Sequence, residues 1–96
     1  MIINKNKKLI VENISDIEIM LVNEKTEEIH LLNSSSCFLF SICENKSIDD
    51  VISLYIQNYS DNNVSKDELI SDANQIINDF INKGIVIVEN KVEKNE

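Results

Sequence analysis

The spacing of the apolar residues changes once along this chain, and that change limits the folds open to it. Up to about residue 32 the apolar residues come in short runs rich in β-branched side chains, and some of these runs show a two-residue alternation. From about residue 47 they recur every three or four positions, as they do in amphipathic helices. A chain whose strands come first and whose helices follow is typical of an α+β domain.

Three short strands are predicted in the first third of the chain. The β-branched composition of residues 7–14 favours a first strand. Ile17–Val22 and Ile29–Leu32 are separated by the polar stretch Asn23–Thr26, which predicts a hairpin. The loop has no Asn-Gly or Asp-Gly pair that would fix its length, and a slip of one residue exchanges the two faces of the returning strand. The face on which each side chain of Ile29–Leu32 lies is therefore left open.

Three helices are predicted after the hairpin. Residues 36–44 are too apolar for a solvated surface helix, so we expect a short buried helix that begins at an N-cap, Asn33 or Ser34. Ser47 then supplies a capping hydroxyl for a second helix, with two acidic residues in its first turn, where the helix dipole favours them. The third helix begins with a capping box, Ser65 with Glu68.

The third helix carries one continuous apolar stripe and ends at Lys83-Gly84, because a glycine adopts the left-handed conformation that closes a helix. The stripe comprises Leu69, Ile70, Ala73, Ile76, Ile77, Phe80 and Ile81. Residues 85–88 are predicted to be one more short strand or an extended tail. A small sheet on three helices is the winged helix-turn-helix plan, so we expect an α+β fold with a three-stranded antiparallel sheet followed by three helices.

The expected domain organisation is simple because 96 residues have room for one core. We predict a flexible N-terminus at residues 1–6, one domain at residues 7–88 and a disordered tail at residues 89–96. A core of this size leaves little space for an active-site cavity, so we expect no enzymatic activity. No signal peptide and no apolar run long enough for a bilayer is found, which indicates a cytoplasmic protein.

The charge balance excludes some partners. The chain has 17 acidic residues and nine basic ones, a formal net charge of −8, and all nine basic residues are Lys. Nucleic acids and anionic lipids require a basic surface, so we expect neither partner. His30 is the only histidine, and Cys37 and Cys43 lie about 240° apart on a helix, so no metal or other cofactor is expected.

Four short motifs, in this order and spacing, resemble a known family. They are Leu32-Asn33 before an apolar helix, residues 44–48 (Glu-Asn-Lys-Ser-Ile), Asp72-Ala73, and residues 83–86 (Lys-Gly-Ile-Val). Together they resemble the PqqD-like proteins, the RiPP recognition elements, over about residues 17–87. Members of this family bind leader peptides of ribosomally synthesised, post-translationally modified peptides. The common glycine after the first helix is Asn45 here, a residue that tolerates the left-handed region.

The resemblance implies a non-catalytic chaperone that presents a precursor peptide to a modifying enzyme, either a radical SAM maturase or a leader protease. The leader would add as a strand to the edge of the third predicted strand and lie against the third helix. The site residues implied on the strand are Glu28, Ile29, His30, Leu31 and Leu32. Those implied on the helix are Ile70, Asn74, Ile77 and Ile81.

The charge of −8 predicts cationic residues in the leader, or on the enzyme, that meet Glu27, Glu28 or Asp72. Three alternatives remain open. The protein could be a small winged-helix regulator that binds DNA or a transcription protein, although its third helix is acidic. It could be a structural subunit that stabilises an enzyme without touching the precursor. Residues 85–88 or an open strand edge could pair with a second copy, so a homodimer also remains open.

Overall fold

The computed structural model describes residues 1–60 and 63–89. Strands come first and helices later, as predicted, but there are two further strands: β1 precedes the predicted ones and β5 lies between the first two helices. The elements are β1 (Ile2–Lys5), β2 (Ile10–Asn13), β3 (Ile19–Asn23), β4 (Glu28–Leu32), α1 (Ser34–Ile42), β5 (Glu44–Ser47), α2 (Ile48–Tyr59), α3 (Lys66–Asn82) and β6 (Val86–Glu89).

The predicted three-stranded antiparallel sheet is confirmed, with strand order β2-β3-β4. The register pairs Leu21 with His30 and Val22 with Ile29. Leu21 and Leu32 are buried, whereas Ile29 and Leu31 are exposed. Because neighbours along a strand point to opposite faces, His30 and Leu32 lie on the core side and Ile29 and Leu31 on the outer side. The register thus settles the face that the sequence left open.

A second antiparallel sheet has the order β5-β1-β6 and was not predicted. Its central strand, β1, occupies residues that the sequence analysis assigned to a flexible N-terminus. Two adjacent isoleucines followed by Asn and Lys carry no strand signal of their own. The strand forms because β5 and β6 pair with its two sides and because Ile3 is fully buried. The Asn4 side chain also accepts a hydrogen bond from the Asn45 N–H at 2.7 Å.

The predicted helix starts are confirmed by their caps. The Asn33 side chain accepts a hydrogen bond from the Ser36 N–H, and the Ser47 and Ser65 hydroxyls accept from the third residues of their helices, at 3.0, 3.1 and 3.1 Å. The first helix ends at Ile42 rather than Glu44, because residues 44–47 pair with β1. Asn45 has a φ of 55° and Gly84 one of 71°, so both turns use the left-handed conformation that the sequence indicated.

The core lies between the three helices and the inner faces of the two sheets. Phe40 of α1 and Phe80 of α3 meet edge to face, with their ring centroids 6.4 Å apart. Cys37 and Cys43 are free thiols, and burial raises the pKa of Cys43 to about 11, so this thiol is a core residue without nucleophilic character at neutral pH. Within residues 1–60 and 63–89, no helix is long and apolar enough to cross a membrane.

The C-terminal strand β6 pairs with β1 and not with the β2-β3-β4 sheet. The tail predicted to be disordered, residues 89–96, lies outside the described residues except for Glu89, which ends β6. Among the residues that the structure describes, nothing from the C-terminal strand therefore covers β4. This matters because the implied peptide site requires a free β4.

Candidate functional site

The outer edge of β4 is free of a partner strand in the described part of the chain. In the sheet order β2-β3-β4, this strand pairs with β3 alone. Alternate residues of an edge strand direct their N–H and C=O groups away from the sheet, where another extended chain can bind them. The edge is five residues long and has no proline or lysine that would discourage pairing. It is therefore a candidate site for strand addition.

A pocket of about 240 Å³ lies just beyond the end of β4. The pocket begins at Asn33, which directly follows the strand, and is closed by the first turn of α1, one residue of α2 and one side of α3. Its lining residues are Asn33, Ser35, Ser36, Tyr55, Asp72, Gln75 and Ile76. An extended peptide that follows β4 to its end would therefore reach a pocket with one apolar side chain, several hydrogen-bonding groups and one carboxylate.

Tyr55 gives this pocket a rigid wall. Its ring lies 4.7 Å from the Tyr59 ring and 6.5 Å from the Phe38 ring, centroid to centroid, and Phe38 meets Tyr59 edge to face. Such aromatic pairs are worth about 0.5–1.5 kcal/mol beyond the area that they bury. Burial raises the pKa of the Tyr55 phenol, so the hydroxyl stays protonated and can donate a hydrogen bond.

The four residues implied on α3 do not form one wall in the structure. Ile77 is 1% exposed and lies in the core between Ala73 and Phe80. Its side chain cannot contact a peptide at the surface, which corrects its assignment to the groove. Ile77 is buried because it lies in the part of the apolar stripe that faces the core. The sequence showed the stripe but not which of its residues face the core.

The other three residues lie on one side of that stripe, and the pocket lies on the other. Ile70 and Ile81 are half-buried and Asn74 is exposed. On a helix, Ile70 is about 120° from Ile76, the apolar residue of the pocket. The implied contacts of Ile70, Asn74 and Ile81 therefore remain a prediction, and the structure brings a different side of α3 next to the end of β4.

Sequence reasoning missed Tyr55, Gln75 and Ile76 as site residues. The sequence analysis placed Ile76 on the apolar stripe without a role in the site, and the structure shows it half-buried, packed against the core and bordering the pocket. The helical spacing of Asp72, Gln75 and Ile76 put them on one side of α3, so the sequence did contain the signal. What it lacked was the direction from which β4 approaches the helix.

The segment that forms the β2-β3-β4 sheet is acidic, with Glu12 and Glu28 in its strands and the other carboxylates in its loops. Residues 9–32 contain six acidic residues and one Lys, and Asp72 adds a carboxylate at the pocket. Lys5 and Lys7 lie at the other sheet, where Glu44 accepts a hydrogen bond from the Lys5 N–H at 3.1 Å and pairs with the Lys7 ammonium at 3.4 Å. These contacts, the Lys5 N–H first, lower the pKa of Glu44. No cluster that could hold a metal ion is found among the residues described.

The free edge of β4 and the pocket at its end belong to a small domain with a winged α+β architecture. No family model matches the sequence, and no curated protein matches it. A solved structure, that of TbiB1 in complex with the TbiA(beta) leader peptide, has a similar fold. Its TM-score is 0.73 at 16% sequence identity, and the match covers 92% of this chain and 99% of the TbiB1 chain. At this identity the likeness establishes the winged-helix-like fold.

Proposed function

We propose that this protein binds the leader of a ribosomally synthesised precursor peptide and presents it to a modifying enzyme, without catalytic activity of its own. The leader adds as a fourth strand to the outer edge of β4, and its end enters the pocket beside Asn33. Main-chain hydrogen bonds supply affinity that tolerates different sequences, and the side-chain contacts supply selectivity. The modifying enzyme is a radical SAM maturase or a leader protease, as the family resemblance implies.

The free edge of β4 is the observation that carries this proposal. The likeness to TbiB1 supports it, because that protein was solved with a leader peptide and its whole length corresponds to this fold. The four motifs that resemble the PqqD-like proteins support it independently, since they depend on sequence and not on shape. The small core, which leaves little space for an active-site cavity, is compatible with a role in binding alone.

Other strand edges are less suited to a guest. The outer edge of β2 faces solvent, all four of its residues are exposed, and no helix packs closely beside it. The strand β5 leads directly into α2 at Ile48 and has Asn45 in the left-handed conformation, which interrupts an extended ladder. The remaining rival is β6, which packs beside α3 and whose Ile87 and Glu89 line a pocket of about 410 Å³. The other residues that line this pocket are Asn and Lys, so it offers a cationic guest less than the pocket with Asp72 does.

A synthetic leader peptide tests the proposal. Its sequence is taken from the short precursor reading frame that we expect beside the gene for the modifying enzyme. We expect it to bind the isolated protein, without the enzyme, and to bind more weakly as salt is added, because cationic leader residues meet Asp72, Glu27 or Glu28. Asp72→Asn is expected to lower the affinity by up to about fivefold at low salt, the effect of one exposed ion pair. Fluorescence anisotropy over a salt series measures both effects.

Asp67→Asn is the matched control for Asp72→Asn. It removes the same charge from the same helix, but on the side away from the pocket. The two variants are expected to differ, with the loss confined to Asp72→Asn. An affinity that stays flat from low to high salt would remove the electrostatic part of the proposal. A leader that binds only when the enzyme is present would favour a structural subunit instead.

A further inference from the structure

The outer face of the β2-β3-β4 sheet is apolar, although helices cover only the other face. Its side chains form two cross-strand rows, which the strand register defines. One row runs from Ile10 through Val22 to Ile29, and the other from Glu12 through Met20 to Leu31. An antiparallel sheet with one solvated face normally carries polar residues there. Five apolar side chains out of six on this face therefore call for an explanation.

Among the apolar side chains of this face, exposure is highest at the free edge. Leu31 and Ile29, the last side chains of the two rows, are 71% and 60% exposed. Val22 and Met20, in the middle strand, are half-buried, and Ile10 at the far edge is 41% exposed. A side chain on a central strand is covered by neighbours on both sides, and one on an edge strand by a neighbour on one side. Each row therefore ends at β4 with a large apolar side chain and a vacant neighbouring position.

The acidic surroundings of these rows restrict what can occupy that position. Residues 9–32 carry six acidic residues against one Lys, and the whole chain has a net charge of −8. A second copy of the chain would bring the same negative charge to this edge. A guest with apolar residues opposite Ile29 and Leu31 and with Lys or Arg elsewhere would satisfy both the apolar rows and the charge.

We propose that the guest strand has an alternating sequence, with an apolar residue at every second position and cationic or polar residues between them. This inference rests on the proposed strand addition at β4. The apolar residues lie next to Ile29 and Leu31 on the outer face and lengthen the two rows by one side chain each. The intervening residues point to the inner side, toward His30 and the pocket that contains Asp72. The outer face of the sheet is thus part of the recognition surface, together with the groove.

Variants of the outer face test the inference on the protein side. The double variant Ile29→Thr, Leu31→Thr keeps the charge and places a β-branched residue that favours strands at both positions, while it removes most of the apolar contact. Both side chains are exposed, so the melting temperature is expected to stay near that of the wild type. Affinity for an alternating guest is expected to fall about two- to thirtyfold, the combined effect of two cross-strand apolar pairs.

Two single variants are the controls. Ile87→Thr changes an exposed strand residue in the other sheet, and Ile10→Thr changes the far end of one row, about 10 Å from β4. Both are expected to bind the guest within about twofold of the wild type. An Ile10→Thr variant that weakens binding as strongly as the double variant would show that a broad partner surface covers the whole face, which would overturn the inference.

Synthetic peptides test the same inference on the guest side and need no protein variant. The probe is a dye-labelled, capped ten-residue peptide with Val and Lys in alternation, and its control has the same composition with the Val and Lys residues in two separate blocks. The alternating peptide is expected to bind the wild type at least about tenfold more tightly than the block peptide. Equal binding of the two, or unchanged binding of the alternating peptide to the double variant, would overturn the inference. If a natural leader nevertheless slowed hydrogen exchange at the β4 amides, the proposed function would still hold and only the inference about the alternating sequence would fail.

Discussion

Replacing Ile77 with Asp is expected to unfold the protein. Ile77 is 1% exposed and packs in the centre of the α3 stripe. Truncation of a buried aliphatic side chain alone costs about 2–5 kcal/mol, and a carboxylate at the same place adds the cost of burying a charge without a partner. A domain of this size has about 5–15 kcal/mol of stability in total. We expect the variant to lose the cooperative thermal transition in circular dichroism, and with it all peptide binding.

Two variants distinguish this core role from a role in the groove. Ile77→Val is expected to cost about 0.5–1.5 kcal/mol of stability and to leave peptide affinity unchanged. Asn74→Asp, which adds the same carboxylate on the exposed side of the same helix, is expected to melt close to the wild type. An Ile77→Asp protein that folds normally and has lost only its peptide would contradict the burial described above and return Ile77 to the binding site.

The second large effect, a loss of leader affinity, is expected from proline substitutions in β4, made singly at the two neighbouring positions 30 and 31. In an antiparallel strand, adjacent residues direct their N–H groups to opposite sides. One of His30→Pro and Leu31→Pro therefore removes an N–H from the free edge, and the other removes one from the ladder with β3. We expect one variant to fold and to bind the leader about 10- to 100-fold more weakly, because a hydrogen bond is lost and the ring obstructs the incoming strand.

The partner proline variant is expected to melt at a clearly lower temperature, because it breaks the pairing between β3 and β4. Circular dichroism melts assign the two roles, and anisotropy on the better-folded variant then gives the binding result. His30→Thr and Leu31→Thr control for the loss of each side chain. A well-folded proline variant that binds the leader as tightly as its Thr control would place the guest somewhere other than the β4 edge.

Much of the fold could be predicted because its signals are local. Caps such as Ser47 and Ser65 begin their helices where the hydroxyl can accept a backbone N–H, and Gly84 ends α3 where a left-handed residue is needed. These signals involve residues only a few positions apart. The hairpin between β3 and β4 was predictable for the same reason.

The second sheet could not be predicted because nothing local specifies it. Ile2–Lys5 becomes a strand by pairing with residues at least 40 positions away on one side and more than 80 on the other. The faces of β4 needed a register that the loop sequence does not fix. Which side of α3 borders the pocket depends on where β4 ends, and the sequence does not show this. The apolar spacing placed Ile76 and Ile77 on the same stripe, but it could not show that Ile77 lies in the core and Ile76 at the pocket.

Residue-resolved hydrogen exchange of the backbone amides, with and without a saturating leader peptide, tests the central claim most directly. A strand added to β4 forms hydrogen bonds with alternate residues of that strand. We therefore predict that exchange slows at alternate amides of Glu28–Leu32 and stays unchanged along the outer edges of β2, β5 and β6. Binding that leaves the β4 amides unprotected, or that protects β6 in their place, would contradict the claim that the edge of β4 receives the guest.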